Sequence, residues 1–150
     1  MTTAKQIQDL YDQDGFKWYN ENAKLLREKK FELIDIEHLA EEVESMGKSE
    51  IKELESFLTI LYLHLLKWKY QNDYQGKKSW LRSIVEHRKR AKKHLKQNPS
   101  LKSYLEEISQ DAYGSAALKA SEETGLDPDI FPETMPFTFE EALTDEWLPT

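Results

Sequence analysis

The stretch FLTILYLHLL, residues 57–66, is the longest apolar run of the chain, and only Thr59 and His64 interrupt it. Wound into an α-helix, this run is apolar on nearly every face, which is typical of a helix surrounded by other helices. It is shorter than the roughly 18–20 residues that a membrane span requires. We therefore predict that residues 57–66 form the central buried helix of an all-α fold.

Helical periodicity extends from this run toward the N-terminus as far as Asp35, which is a favourable N-cap. Gly47 lies within the pattern, where glycine costs about 1 kcal/mol relative to alanine. We therefore predict a kink or break over residues 45–49, with Ser49 capping a second helix that continues to Tyr70. The periodic apolar positions, predicted to face the core, begin with Ile36, Leu39, Ala40, Val43 and Met46.

Three further helices are predicted over residues 14–30, 79–96 and 100–124, with a connecting turn over 71–78. Gly125 follows the last of them in the position of a left-handed C-cap. Thr138 and Glu141 have capping-box spacing and predict a short terminal helix. The chain is thus predicted to be one all-α domain over residues 1–150, an antiparallel bundle of about four main helices. Its extended C-terminal tail, 125–150, is predicted to wrap around the bundle.

Charge is segregated along the chain, although the net charge is only −7. Residues 77–103 carry ten basic and one acidic side chains, whereas the segments before and after them have net charges of −5 and −11. The chain has no cysteine, which excludes disulfides and thiolate metal sites. The polar first residues lack the order of a signal peptide, so we expect a cytoplasmic protein without membrane attachment.

Short motifs spaced along nearly the whole chain resemble a bacterial family known as domain of unknown function family 29. They are Tyr11-Asp12-Gln13-Asp14, Glu44-Ser45-Met46-Gly47, His64-Leu65-Leu66-Lys67-Trp68, Tyr70-Gln71, Ser79-Trp80, Pro99-Ser100-Leu101, Glu123-Thr124-Gly125-Leu126, Phe131-Pro132 and Leu148-Pro149. The resemblance implies an all-helical bacterial cytoplasmic protein. It implies no activity, cofactor or catalytic residue, because none is assigned to the family.

Catalytic and metal-binding patterns are not found in the sequence. None of the four histidines follows a glutamate at the Glu-x-x-His spacing of di-iron bundles. His38 and Glu42 have helical i, i+4 spacing, which we interpret as a solvated helix start, and the cations around His87 and His94 disfavour a metal there. Nucleophile and phosphate-loop motifs do not occur either. We therefore predict no catalytic residue, no cofactor and no metal.

His64 and Arg88 are the two polar residues predicted on core-facing positions. If helix 79–96 folds back antiparallel, His64 faces the region from Ile84 to Arg88, either as a core histidine or as an acid–base group. Arg88 shares its predicted core-facing helix face with Leu81, Ile84, Ala91 and Leu95. A buried arginine there requires carboxylate or carbonyl partners. We predict a carboxylate partner from the 41–55 stretch or the acidic tail. The alternative is a pocket that binds an anionic ligand.

We expect a non-catalytic protein–protein interaction or adaptor module with a protein partner. Its surface would be the basic face of residues 82–96 or an aromatic end formed by Trp68 and Trp80. An alternative is nucleic-acid binding through helix 79–96, which the overall negative charge disfavours. A second alternative is an enzyme or small anion-binding protein with a pocket near His64 and Arg88. The candidate residues are His64, Trp68, Trp80, Arg88, Lys89, Arg90, Lys92, Lys93 and Lys96.

Overall fold

The structure is a computed structural model that describes residues 2–72 and 74–150, with only the backbone described at position 74. These residues form helices and connecting segments without any strand, which confirms the predicted all-α class. The α-helices are α1 (Ala4–Gln13), α2 (Gly15–Arg27), α3 (Ile36–Tyr70), α4 (Tyr74–Gln97), α5 (Leu105–Thr124) and α6 (Phe139–Ala142). Short 3-10 helices occupy Phe31–Leu33, Pro99–Tyr104 and Pro128–Ile130.

The chain divides into two compact units, Met1–Ser49 and Glu50–Thr150. The first unit contains α1, α2 and the N-terminal part of α3, around a small core of Ile7, Leu25 and Ile34. The second unit contains the rest of the chain, and its core includes the buried residues of the predicted central run, such as Leu58 and Leu66. That the whole chain folds as one domain stays a prediction.

Helix α3 continues through residues 45–49, so the predicted break at Gly47 is wrong, while a kink there stays a prediction. The hydroxyl of Ser49 donates to the carbonyl of Ser45 at 3.0 Å, as a residue inside a helix does, instead of capping a new one. The cost of one glycine is small beside the gain from uninterrupted helical hydrogen bonds and from good helix formers on both sides.

Helix α1 has no counterpart in the sequence prediction, although it carries its own N-terminal signal. Thr3 and Gln6 form a capping box in which each side chain accepts a hydrogen bond from the other residue's backbone N–H. Ile7, Leu10 and Tyr11 have helical spacing, but α1 is only ten residues long and Ile7 is its one fully buried residue, so its apolar pattern is short. Helix α4 begins at Tyr74, five residues earlier than predicted, and position 73 of the predicted turn lies outside the described residues.

Within the second unit, α4 runs antiparallel to α3. The Oγ of Ser83 lies 3.3 Å from Nδ1 of His64, and Nε2 of His94 donates to the carbonyl of Glu50 at 2.9 Å. These pairs confirm the predicted antiparallel register, which placed His64 next to the region from Ile84 to Arg88. Gly125 ends α5 with a left-handed φ of 73°, as predicted.

Candidate functional site

Helix α4 presents two contrasting faces to its surroundings. Ile84, Arg88, Ala91 and Leu95 are buried against the core of the second unit. Leu81, predicted to share that face, is instead 40% exposed. It belongs to a continuous surface of exposed side chains at helical i+3 and i+4 spacing, which we call the outward face of α4: Lys78, Leu81, Arg82, Val85, Lys89, Lys92, Lys93 and Lys96.

The N-terminal half of the outward face combines apolar and cationic groups. Leu81 and Val85, 40% and 56% exposed, lie one helical turn apart. They line a shallow depression of about 570 Å³ together with Lys78, Arg82, Lys89 and Glu86, whose carboxylate is paired with Arg90. The sequence prediction recognised the cations but placed Leu81 in the core. The surface therefore offers hydrophobic contact area with positive charge on its rim.

The C-terminal half of the outward face is mostly unneutralised. Lys92 pairs with Asp145 of the tail at 3.1 Å, and Arg90, beside the face, pairs with Glu86 of its own helix at 2.6 Å. Among the described residues, Lys89, Lys93 and Lys96 form no ion pair. Neutralisation by the acidic tail is thus limited to Lys92, and the surrounding cations remain available to an anionic partner.

Arg88 is 3% exposed and binds backbone carbonyls, whereas a carboxylate partner was predicted. Its Nε donates to the carbonyl of Ala142 and its Nη2 to the carbonyl of Trp147, each at 2.7 Å. Burial lowers the pKa of Arg88, and the nearby charge of Asp145 partly opposes this. The guanidinium therefore joins α4 to the tail at two points, and two of its nitrogen atoms are already occupied by protein.

His64 lies half-buried between α3 and α4, next to Ser83 and His87. Nδ1 of His64 donates to the carbonyl of Ile60 at 2.8 Å, and Nδ1 of His87 donates to the carbonyl of Ser83 at 2.9 Å. Both Nδ1 atoms therefore carry protons, and neither can accept the proton of the Ser83 hydroxyl, 3.3 Å away. Burial and the charge of Lys67 lower the pKa of His64. The cluster is accounted for by packing and backbone hydrogen bonds.

The largely apolar cleft between α5 and the tail lies apart from these residues. Its volume is about 460 Å³, and Ser109, Tyr113, Met135 and Phe137 are among its lining residues. Neither His64 nor Arg88 lines it.

The predicted aromatic end is largely incorporated into the second unit. Trp80 is buried, and Trp68 is half-buried against the core. The ammonium of Lys77 lies 5.0 Å from the centroid of the Trp68 ring, within the range of a cation–π contact. Trp68 and Trp80 are therefore less exposed to a partner than Leu81 and Val85 are.

The first unit contains a buried polar cluster that sequence reasoning missed. The Asp35 carboxylate is almost fully buried and accepts hydrogen bonds from Nε1 of Trp18 at 2.9 Å and from Nδ1 of His38 at 2.7 Å. Burial alone would raise the pKa of Asp35, but these hydrogen bonds outweigh it and lower the pKa. The same hydrogen bond to Asp35 raises the pKa of His38. His38 therefore lies at a helix start, as predicted, but its side chain is only one third exposed and is hydrogen-bonded to a buried carboxylate.

Two tyrosines extend this cluster toward the surface. The Tyr11 ring stacks on His38 with a centroid separation of 3.9 Å. The hydroxyls of Tyr11 and Tyr19 each donate to one carboxylate oxygen of Glu42 at 2.7 Å. These bonds raise the pKa of Tyr11 to about 12 and lower that of Glu42. The sequence signal that could have revealed the cluster is the i, i+3 spacing of Asp35 and His38 at a helix start.

An apolar groove lies on another surface of the first unit. It has a volume of about 510 Å³, and its lining includes Leu26, Phe31, Ile36 and Val43, all exposed. The prediction that Ile36 and Val43 face the core is therefore wrong. Among the residues that line the groove, Glu44 is charged and the others are apolar.

These features describe an all-helical protein with charged, partly apolar surfaces, and comparison with known proteins assigns its family. The family model described as domain of unknown function DUF29 matches residues 10–148, nearly the whole chain. The chain therefore belongs to this family, as its motifs suggested. No protein of curated function and no solved structure gives a significant match. Across the described residues, every helix is too short or too polar to cross a lipid bilayer.

Proposed function

We propose that the protein is a protein–protein interaction module whose outward face of α4 binds an acidic amphipathic segment of a partner protein. The main support for this proposal is that Leu81 and Val85 are exposed and that the lysines and arginines around them are mostly unpaired. Apolar side chains in such a depression gain free energy when a partner covers them. The cationic rim favours a partner of negative charge and accelerates its association.

A protein partner accounts for this surface better than a nucleic acid does. Phosphate contacts need only the cations, and they leave Leu81 and Val85 without a role. The acidic segments on both sides of the basic one also repel a long polyanion. A short acidic helix with an apolar stripe can use both halves of the outward face and avoid those segments.

The apolar groove of the first unit supports the adaptor form of this proposal. Its exposed apolar lining has the character of a helix-binding groove, and an amphipathic helix of a second partner is the proposed occupant. Two exposed apolar surfaces on one chain, of which the one on α4 is bordered by cations, suit a protein that holds two different partners. A second copy of this chain is a competing occupant, because the outward face of α4 is itself basic and apolar.

Peptide binding by charge variants tests the outward face directly. The probes are a synthetic acidic amphipathic helix and a scrambled peptide of the same composition, titrated by fluorescence anisotropy. We expect Lys89→Glu/Lys93→Glu to weaken binding of the amphipathic peptide strongly. The matched control is Lys102→Glu/Lys119→Glu, which changes the net charge equally at exposed positions outside α4. Equal loss in both double variants, or equal binding of both peptides, would contradict the proposal.

Two further measurements separate the competing partners. A labelled duplex oligonucleotide at low salt tests nucleic acid, and salt-sensitive binding tighter than that of the peptide would overturn the protein-partner proposal. Light scattering tests the second copy. The competing outcome is an oligomer that dissociates in each of two double variants, Ile36→Ser/Val43→Ser and Leu81→Ser/Val85→Ser. The two surfaces would then bind one another, and the proposal of outside partners would be wrong.

A further inference from the structure

His94 of α4 is a buried histidine that faces two carboxylates of α3. It is 5% exposed, and its Nε2 lies 3.3 Å from Oε2 of Glu50, while its Nδ1 lies 3.8 Å from Oε2 of Glu53. One donor atom from each of these three residues lies within 4.8 Å of the other two. All three belong to the second unit and lie apart from the outward face of α4.

Hydrogen bonding determines which ring nitrogen of His94 can bind a ligand. Nε2 donates to the carbonyl of Glu50 at 2.9 Å and therefore carries a proton. In the neutral ring, Nδ1 then holds a lone pair, and within the described residues no hydrogen bond engages it. Nδ1 faces the Glu53 carboxylate at 3.8 Å, so the pair needs either a proton or a metal cation between its two electron-pair donors.

We propose that His94 Nδ1, Glu53 and Glu50 bind one divalent transition-metal ion of the zinc type. Bonds of about 2.0–2.2 Å to a tetrahedral ion separate its ligands by roughly 3.4 Å, so a contraction of a few tenths of an ångström from 3.8 Å brings Nδ1 and Glu53 to that separation. Oε2 of Glu50 lies 3.3 Å from the other ring nitrogen, Nε2, so this partly exposed side chain turns toward Nδ1 to complete the ligand set. The imidazole nitrogen and the two carboxylates suit zinc better than calcium or magnesium, which prefer oxygen ligands alone.

The surroundings of the three side chains have the features of a metal site with an open position. The hydrogen bond from Nε2 to the Glu50 carbonyl fixes the ring orientation, as acceptors on the far side of the ring do for histidines that bind metals through their other nitrogen. The imidazole ring of His94 packs edge-to-face with the ring of Phe57, and the two ring centroids lie 6.0 Å apart. The Glu50 and Glu53 side chains are 44% and 52% exposed, so water can complete the coordination. Two carboxylates also balance the charge of a divalent ion.

The sequence prediction of no metal considered spacings within single helices. The carboxylates lie more than 40 positions before His94 and approach it only because α4 folds back along α3. The cations on α4 that argued against a metal, such as Lys92 and Lys93, are exposed, whereas His94 is buried. The two helix faces separate these charges from the imidazole.

Zinc and cobalt binding by the full chain test the site. After chelator treatment, we expect the wild-type protein to bind one Zn²⁺ by calorimetry, and Co²⁺ to give the visible absorption of a four-coordinate ion. Glu53→Gln removes an exposed ligand and should weaken Zn²⁺ binding by roughly tenfold or more. His94→Gln should do the same. His87→Gln is the matched control, because it removes the other partly buried histidine of α4.

Wild-type binding that neither Glu53→Gln nor His94→Gln weakens would overturn the proposal. A wild-type protein that takes up no stoichiometric Zn²⁺ would also overturn the proposal. If His94→Gln fails to fold, Glu53→Gln still decides, since the Glu53 side chain is half exposed. Peptide binding at the outward face is measured separately, so failure of one proposal is distinguishable from failure of the other.

Discussion

Nη2 of Arg88 donates to the backbone carbonyl of Trp147 at 2.7 Å and thereby joins α4 to the C-terminal tail. The bond is one of a pair, since Nε of the same side chain donates to the carbonyl of Ala142. A buried guanidinium needs such acceptors, and the tail carbonyls need a donor. The buried face of α4 is thus fixed by the tail, and its opposite face remains exposed.

Arg88→Met should destabilise the protein by about 3 kcal/mol, because it leaves two carbonyls without their charged donor. Chemical denaturation monitored by circular dichroism measures this loss. The tail should also become more sensitive to limited proteolysis. Arg90→Met is the control, since Arg90 is exposed and its ion pair with Glu86 contributes little. An Arg88→Met protein as stable as the Arg90→Met protein would contradict the structural role of Arg88.

Asp35→Ala should destabilise the protein by about 2–3 kcal/mol, because Trp18 Nε1 then lacks its buried acceptor. The variant also loses the carboxylate that accepts from the backbone N–H of His38 at the start of α3. Denaturation followed by tryptophan fluorescence measures the effect. Asp9→Ala, at an exposed position paired only with Lys5, should be close to wild type. Equal stabilities of the two variants would show that Asp35 has no structural importance.

The stabilisation provided by His38 should depend on pH in a defined direction. The hydrogen bond to Asp35 raises the pKa of His38 in the folded state, so its stabilisation is complete below the ordinary value of 6.5 and is lost as the pH rises through the folded-state pKa. The stability difference between wild type and His38→Gln should therefore be larger at about pH 5.5 than at about pH 9. Urea denaturation at the two pH values measures this difference.

His64 should show the opposite dependence. Burial lowers its folded-state pKa, so the unfolded chain binds a proton more readily and the histidine costs stability as the pH falls below 6.5. His64→Gln should thus gain stability relative to wild type on acidification, whereas His38→Gln loses it. If both variants respond to pH in the same direction, the assignment of one charged and one neutral histidine is wrong.

Features that depend on neighbours in the sequence were predictable. The central run of residues 57–66, the C-cap at Gly125 and the capping box of Thr138 and Glu141 all follow from local patterns, and the structure contains each of them. The antiparallel pairing of α3 with α4 was also predictable from the sequence, because two helices joined by a short connection pack against each other in opposite directions. The register near His64 and Ser83 was correct for this reason.

Features that depend on distant partners were not predictable. Asp35 lies 17 positions from Trp18, and no periodic pattern shows that they meet. Arg88 was recognised as core-facing, but its acceptors are backbone carbonyls, which every residue carries and which leave no sequence signal. The apolar stripe containing Ile36 and Val43 has the periodicity of a core-facing helix, and sequence cannot distinguish this from an exposed groove.

The most direct test of the central proposal is the affinity of the acidic amphipathic peptide for Leu81→Ser/Val85→Ser. This variant keeps every charge of the outward face and removes only its exposed apolar side chains, so its folding stability should change little. We predict roughly tenfold or greater weakening of peptide binding and no change in any salt-dependent binding of an oligonucleotide. Peptide affinity equal to that of wild type would contradict the proposal, because the face would then act only as a patch of positive charge.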